Sequence, residues 1–230
     1  MKRLIFGSKS TPPDSGGVFE VSGRGGKWLL LFCTVVLLLS GTANAFNLPD
    51  TGQTKCYQSV SPFAEIPCAG TGQDGAYNIN PMSFTNNGNG TITDNNTGLM
   101  WQKCSVGQNN DSTCSGTAQY YNWYRASGTY HATYNPSSQY VCGERTTGGY
   151  TDWRLPSKKE LITIVDYSIP YPGPTINTTY FPNTVASAYW SSTTYAYYPS
   201  FAWYVGFSNG YVFINYKYYS HYVRCVRGGQ

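Results

Sequence analysis

Six cysteines do most to constrain what this chain can fold into, once its leader is set aside. Lys27 precedes an apolar run, Trp28–Leu39, shorter than the about 20 residues a transmembrane helix needs. Ala43-Asn44-Ala45 follows, with small residues where a signal peptidase reads. The pattern predicts a secretory leader, residues 1–45, cleaved after Ala45; the alternative is an uncleaved N-terminal anchor. Cys33 lies behind Leu30-Leu31-Phe32 and lacks the small residues of a lipobox, so lipid attachment is not expected. Cys56, Cys68, Cys104, Cys114, Cys142 and Cys225 remain, and an even count in an exported chain reads as disulfides. Six cysteines allow fifteen connectivities. Proximity favours Cys56–Cys68 and Cys104–Cys114, which leaves Cys142–Cys225 as a long-range staple. A zinc site is the rival reading, but no Cys-x-x-Cys spacing occurs, and the histidines are His131 and His221 alone.

The leader also carries much of the charge. Five of the fifteen basic residues and two of the eleven acidic ones precede Phe46, leaving ten against nine. A net charge near +1 offers no basic patch for a phosphate backbone, so nucleic acid is not an expected partner. The chain from Phe46 onward is long enough for one domain with its own core.

Along that chain, residues 46–80 read as an N-terminal arm punctuated by Gly, Pro and Gln, and the main domain spans 81–230. Phe84–Gln102 predicts two short strands joined by a turn at Asp94–Gly98. Its Asn, Asp and Gly suggest turn chemistry rather than a calcium loop, because Asp94 is the only carboxylate. Residues 105–149 read as a long polar loop region with one short helix around Ala118–Ala126. Ser157 and Glu160 form a capping-box pattern ahead of an apolar stripe, Leu161, Ile164 and Val165, predicting a helix that ends near Asp166. Pro170, Pro172 and Pro174 break it. Strands follow at Trp190–Thr193, at Phe201–Phe207, at Tyr211–Ile214 after a Ser208-Asn209-Gly210 turn, and at Tyr222–Val226, which closes the sheet. The fold class is α+β: a small antiparallel sheet, one or two helices and long disulfide-stapled loops.

Between Tyr189 and Tyr222 there are ten tyrosines and one charged residue, Lys217. Phe201, Trp203, Val205, Phe207, Val212 and Ile214 form the expected buried face. Tyr204 and Tyr211 then point the other way, and Tyr195, Tyr197, Tyr198, Tyr216, Tyr218, Tyr219 and His221 fall in connecting loops. Strand propensity accounts for tyrosines decorating a sheet's solvent face. It does not account for so many in loops, where large apolar area with a polar tip and little rotamer entropy suits contact with a partner. These nine residues are the candidate binding surface.

Several segments together resemble a bacterial family. The motifs are Leu48-Pro-Asp-Thr-Gly-Gln-Thr54, Thr93-Asp94 with Thr97-Gly-Leu-Met-Trp-Gln102, Gly149-Tyr-Thr-Asp-Trp-Arg-Leu-Pro-Ser157, Trp190-Ser-Ser192 and Arg224-Cys-Val-Arg227. In order, and over essentially all of the chain after the leader, they resemble the domain of unknown function at the C-terminus of the Legionella collagen-like protein. That resemblance implies a C-type-lectin-like fold, distantly related to formylglycine-generating enzymes and to the variable proteins of diversity-generating retroelements. Trp101, Trp153, Arg154, Leu155, Pro156 and Trp190 fall on the family's characteristic positions. Trp153 and Trp190 are expected in the core, and Arg154 is expected to pin backbone carbonyls or a carboxylate. The collagen-like repeats of the namesake have no counterpart in this sequence.

For function, the expectation is an exported, non-catalytic domain that recognises a protein or glycan ligand at the cell surface, with no membrane span after processing. No cofactor or metal is expected. His131 and His221 read as surface residues. Every cysteine after the leader can be assigned a disulfide partner, an expectation that leaves no thiolate for chemistry of the formylglycine-generating kind. Asp152, Glu160 and Asp166 lie close in sequence, the last two on the capped helix and solvated. The competing classes are a retroelement-diversified target protein and a structural envelope component.

Overall fold

Short strands between Gly-, Asn- and Pro-rich turns are what so loop-heavy a sequence supports. The computed structural model describes residues 47–228, so the leader and its cleavage site after Ala45 lie outside the described residues. The arm carries a small hairpin, β1 (Cys56–Tyr57) with β2 (Glu65–Ile66). β3 (Phe84–Asn86), β4 (Thr91–Asp94) and β5 (Met100–Gln102) form an antiparallel meander. After a loop come β6 (Tyr120–Asn122) and the helix α1 (Trp123–Ser127), then α2 (Lys158–Ile162). The C-terminal third supplies β7 (Ala188–Thr194), β8 (Phe201–Gly206), β9 (Tyr211–Tyr216), β10 (Ser220–Tyr222) and β11 (Val226–Arg227).

These strands make three sheets. β1 pairs with β2; β11-β5-β4-β3 forms a four-stranded sheet; β6-β10-β7-β8-β9 forms a five-stranded one. The pairings are antiparallel except β10 with β7, where Tyr222 lies opposite Tyr189 in a parallel match. The stretch from Tyr222 to Val226 does not close one sheet, as its pattern suggested. It leaves the five-stranded sheet after Tyr222 and joins the other at Val226, opposite Trp101. Val223 and Cys225 accept backbone N–H groups from Val106 (2.9 Å) and Gln102 (3.0 Å) on the way, so the crossing is itself hydrogen bonded.

Local chemistry sets several elements as expected. The Asp94 carboxylate accepts the Asn96 N–H at 3.0 Å and the Thr97 hydroxyl at 2.6 Å. Gly98 donates its N–H to the Asp94 carbonyl at 2.8 Å, with φ of 71°, a conformation that favours glycine. Turn chemistry therefore occupies Asp94. The capping box at α2 is complete: Ser157 Oγ accepts the Glu160 N–H and the Glu160 carboxylate accepts the Ser157 N–H. The three disulfides are Cys56–Cys68, Cys104–Cys114 and Cys142–Cys225, a set that fits an oxidising compartment. Among the described residues no helix is long and apolar enough to cross a membrane.

Tertiary context shortens both helices. The Ala118–Ala126 helix begins only at Trp123, because Tyr120–Asn122 pairs with β10; Asn122 then caps α1 by accepting the Arg125 N–H at 3.0 Å. α2 ends at Ile162 rather than near Asp166, where the Asp166 N–H turns away to the Thr175 carbonyl at 3.0 Å. Leu161, Ile164 and Val165 are still buried together. Glu160 is not solvated: its carboxylate holds Arg154 in a two-pronged pair at 2.6 and 2.8 Å, and Arg154 also donates to the Gly228 carbonyl at 2.8 Å. Asp166 lies beyond the helix and accepts from Ser168.

The five-stranded sheet has apolar residues on both sides. One cluster holds Ile92, Trp101, Leu161, Phe181, Tyr189, Val205 and Phe207; the other holds Trp123, Trp153, Leu155, Trp190, Ala202 and Val223. This overturns the single buried face expected of β8. Ala202 is fully buried on the second side, while Phe201 and Trp203 are only half-buried. Val212 and Ile214 are half-buried too, because β9 is the edge strand. His221 lies in β10, not in a loop, its ring 4.3 Å from that of Trp190 and 4.9 Å from that of Tyr204.

Two outcomes follow from this packing. Cys142 and Cys225 are 83 residues apart, so replacing both with Ser should lower the unfolding free energy by about 4–5 kcal/mol on the chain-entropy model. Urea titration reads this directly; a loss under about 1 kcal/mol would show that other contacts already restrict the loop. Burial also lowers the His221 pKa to about 4. Between about 6.5, the unfolded value, and 4, the unfolded chain takes a proton that the folded chain refuses, so stability should fall as pH falls. Urea titrations at pH 7 and 5 should differ for the natural protein and agree more closely for His221→Gln; equal differences would refute the assignment.

Candidate functional site

Two turns at one end of the five-stranded sheet bring the tyrosines together. The β7–β8 connection is held by Tyr195 N–H to the Phe201 carbonyl (3.0 Å) and Phe201 N–H to the Tyr198 carbonyl (2.9 Å). The β9–β10 turn is closed by Tyr219 N–H to the Tyr216 carbonyl at 3.0 Å. Lys217 N–H donates to the Ser200 carbonyl at 2.9 Å and ties one turn to the other. Its side chain turns inward: Nζ sits 3.9 Å from the Trp123 ring centroid and donates to Thr194 Oγ1 at 2.8 Å. Burial pulls the Lys217 pKa below its usual value. The one charge in the tyrosine-rich stretch is thereby withdrawn from its surface.

What remains outside is a continuous series of rings. Trp203 meets Tyr195 edge-on at 5.4 Å, and Tyr197 and Tyr198 meet at 4.5 Å. Tyr198 lies 6.0 Å from Phe201, which packs 3.9 Å from Tyr216 across the β8–β9 ladder. Tyr216 stacks on Tyr218 at 5.1 Å, and Tyr218 on Tyr134 at 5.9 Å, with interplanar angles of 22° and 23°. Tyr219 packs 4.7 Å from Tyr218. The series ends at Tyr124, whose ring is parallel to Tyr134 within 7°, with His131 packed against both. Tyr197 is the most open member, 73% exposed. Lys158 of α2 covers the Trp203 end, its Nζ 3.9 Å from the ring centroid.

The candidate residues therefore divide. Tyr195, Tyr197, Tyr198, Tyr216, Tyr218 and Tyr219 belong to this ladder. Tyr204, Tyr211 and His221 lie on the opposite face of the sheet, where Tyr204 is half-buried between Trp190, His221 and Phe213 rather than free. Tyr211 is exposed there beside Phe213. Trp203, Phe201, Tyr124, His131 and Tyr134 join the ladder from outside the candidate set. A signal for Tyr134 exists only locally: buried Asn135 donates to the carbonyls of Tyr124, Thr129 and Gln139, folding a tight loop that presents its neighbour. Trp101, Trp153 and Trp190 are all but fully buried.

Chemically, the ladder offers phenol hydroxyls and ring edges. Tyr216 and Tyr218 have neighbours stacked against their faces, so those faces are already in use. Elsewhere, Asp152 is bound by Arg227 at 2.7 Å and Glu160 by Arg154. An apolar groove of about 670 Å³, lined by Leu48, Pro49, Met82, Ile162, Val165 and Tyr167, lies where the arm meets α2.

No curated protein matches the chain significantly. A family model, that of the Lcl C-terminal domain, matches residues 90–227. The match begins at Gly90, so the Leu48–Thr54 motif falls outside it, while β4 to β11, both helices and the whole aromatic ladder fall within. With more than half of its length matched, the chain belongs to the Lcl C-terminal domain family.

Proposed function

We propose that this chain is an exported, non-catalytic binding domain whose aromatic ladder, Tyr195 to Tyr134, recognises a protein surface. The observation that carries this reading is a chain of touching rings from which the one charge of the tyrosine-rich stretch, Lys217, is turned away, and on which Lys158 reaches the Trp203 end. Ring edges and hydroxyls suit the mixed apolar and hydrogen-bonding contacts of protein interfaces, where tyrosine is enriched. A glycan ligand would instead favour open ring faces for stacking, and the inner members of the ladder have few. A C-type-lectin-like frame is part of the proposal, supported by two sheets carrying long loops stapled by disulfides. The family match supports a binding or surface-associated role in general terms, and the three disulfides support export.

Replacing Tyr197, Tyr198, Tyr218 and Tyr219 together with Ala should abolish capture of surface proteins in a pull-down. Each anchor should be worth about 1–3 kcal/mol of binding, while urea stability changes little because these side chains are exposed. Capture should survive about 1 M salt, where the screening length is about 3 Å. A folded four-tyrosine variant that still captures its partner at full strength would sink the reading. Binding of the natural protein on a glycan array, with no protein captured, would move the ligand class to saccharides.

A further inference from the structure

β9 is an edge strand of six residues, Tyr211-Val-Phe-Ile-Asn-Tyr216, bonded to β8 alone in its sheet. Exported proteins commonly blunt such an edge with Lys, Pro, a bulge or a covering segment, because its free backbone groups will pair with another strand. β9 has no charge and no proline, and its register with β8 is unbroken from Phe201↔Tyr216 to Gly206↔Tyr211. Its nearest charge, Lys217, is directed inward to Thr194.

The free groups on this edge can be identified. Lys217 N–H donates to the Ser200 carbonyl, so by antiparallel alternation Asn215, Phe213 and Tyr211 face β8 with their backbone groups. Val212, Ile214 and Tyr216 face outward. Tyr216 N–H is already accepted by Asn215 Oδ1 at 2.9 Å, and the Gly210 carbonyl already accepts the Tyr167 hydroxyl at 3.0 Å. Among the described residues, what stays available is the N–H and C=O of Val212 and of Ile214, placed symmetrically about Phe213. Phe213 itself is 62% exposed.

We infer that β9 is a self-association edge, pairing antiparallel with β9 of a second copy about a two-fold axis at Phe213. In this register Val212 and Ile214 of each copy exchange N–H···O=C bonds with Ile214 and Val212 of the other, leaving none of these four groups per chain unbonded. Phe213 lies opposite its own counterpart at a non-hydrogen-bonded position, where side chains come closest. Val212 meets Ile214 on the other face. The internally bonded Tyr216 N–H and Gly210 C=O fall opposite each other and end the ladder on both sides. The five-stranded sheet thereby doubles into one of ten strands. A second copy fits better than a foreign strand because the edge is neutral and its free groups, the N–H and C=O of Val212 and Ile214, are symmetric about Phe213, with Phe213 matched to Phe213 and Val212 to Ile214. It offers no charge by which a different partner would be selected.

The test is sedimentation equilibrium on the full, disulfide-intact protein, with hydrogen exchange read at Val212 and Ile214. The natural protein should dimerise with rising concentration, and those two amides should slow in parallel. Phe213→Lys puts two cations face to face and should raise the dissociation constant by more than about tenfold, with a urea transition little changed at concentrations where both proteins are monomeric. Ile214→Pro, which removes an outward N–H that β8 does not use, should do the same. The inference is overturned by a natural protein that stays monomeric at millimolar concentration. It is equally overturned by a dimer, trimer or hetero-complex in which the Val212 and Ile214 amides still exchange fast, or by a folded Phe213→Lys protein that dimerises as before.

Discussion

A guanidinium sealed from water, with no carboxylate bonded to it among the described residues, holds the two larger sheets together. Arg224 is fully buried at the point where the chain crosses from β10 to β11. It donates to the backbone carbonyls of Gln102 and Lys103, to Ser105 Oγ and to Thr184 Oγ1 at 2.7 Å, and it lies over the Phe181 ring. Burial lowers its pKa to about 10, which still leaves it charged at neutral pH. A buried cation is costly unless hydrogen bonds replace its water. Four acceptors from two separate segments do so, and they meet the guanidinium only when β5 with the residues after it, the Thr184 loop and the C-terminal crossing are all in place. The cost of the charge therefore becomes a requirement for one arrangement of these segments. Arg224 Nε and Trp101 Nε1 are the buried side-chain nitrogens without a partner among the described residues.

The neighbouring staple acts on the same crossing. Cys225 follows Arg224 and reaches Cys142, which packs with Trp153 and Trp190 in the second apolar cluster. Val226 next pairs with Trp101 on one side and with Arg154 on the other, through reciprocal 2.9 Å backbone bonds. Arg154 in turn holds Glu160 and so the first turn of α2. Five consecutive residues, Val223 to Arg227, thus connect both sheets, the long loop and a helix. With the C-terminus anchored this way, the β7–β8 and β9–β10 turns at the sheet's end are free to carry side chains chosen for contact rather than for packing.

How much of this could be read from sequence follows from the range of each interaction. Ser157 with Glu160, the Asp94–Gly98 turn and the nearest-neighbour cysteine pairs depend on residues close in the chain, and their chemistry is visible there. The second burial of β8 is not. Alternation shows that Ala202 and Tyr204 face away from Val205, but whether water or Trp190 waits there depends on β7, β10 and the loop around Trp153. The edge position of β9 is a property of sheet order, so Val212 and Ile214 read as core and prove half-buried. Phe213 is the complement: an apolar residue in an apolar run, exposed because no strand follows. Tyr134 joins Tyr218 only because Asn135 folds a local loop that α1 places beside the sheet's end, a juxtaposition across more than eighty residues.

The same topology explains why the ladder can be uncharged and still ordered. Exposed tyrosines on isolated loops would each lose rotamer freedom on meeting a partner. Here every ring has at least one aromatic neighbour, and the backbone beneath is fixed by the Lys217–Ser200 bond and by the inward lysine. Much of the ordering is therefore done before any ligand arrives, the condition under which contact area converts to affinity with least loss. The arrangement also separates shape from identity. The turns are held by backbone hydrogen bonds at Tyr195, Phe201, Lys217 and Tyr219, not by phenol hydroxyls, so exposed rings such as Tyr197 can change without moving the frame. On the proposed function, specificity then resides in which edges and hydroxyls the turns display, while stability resides in the Arg224 crossing beneath them.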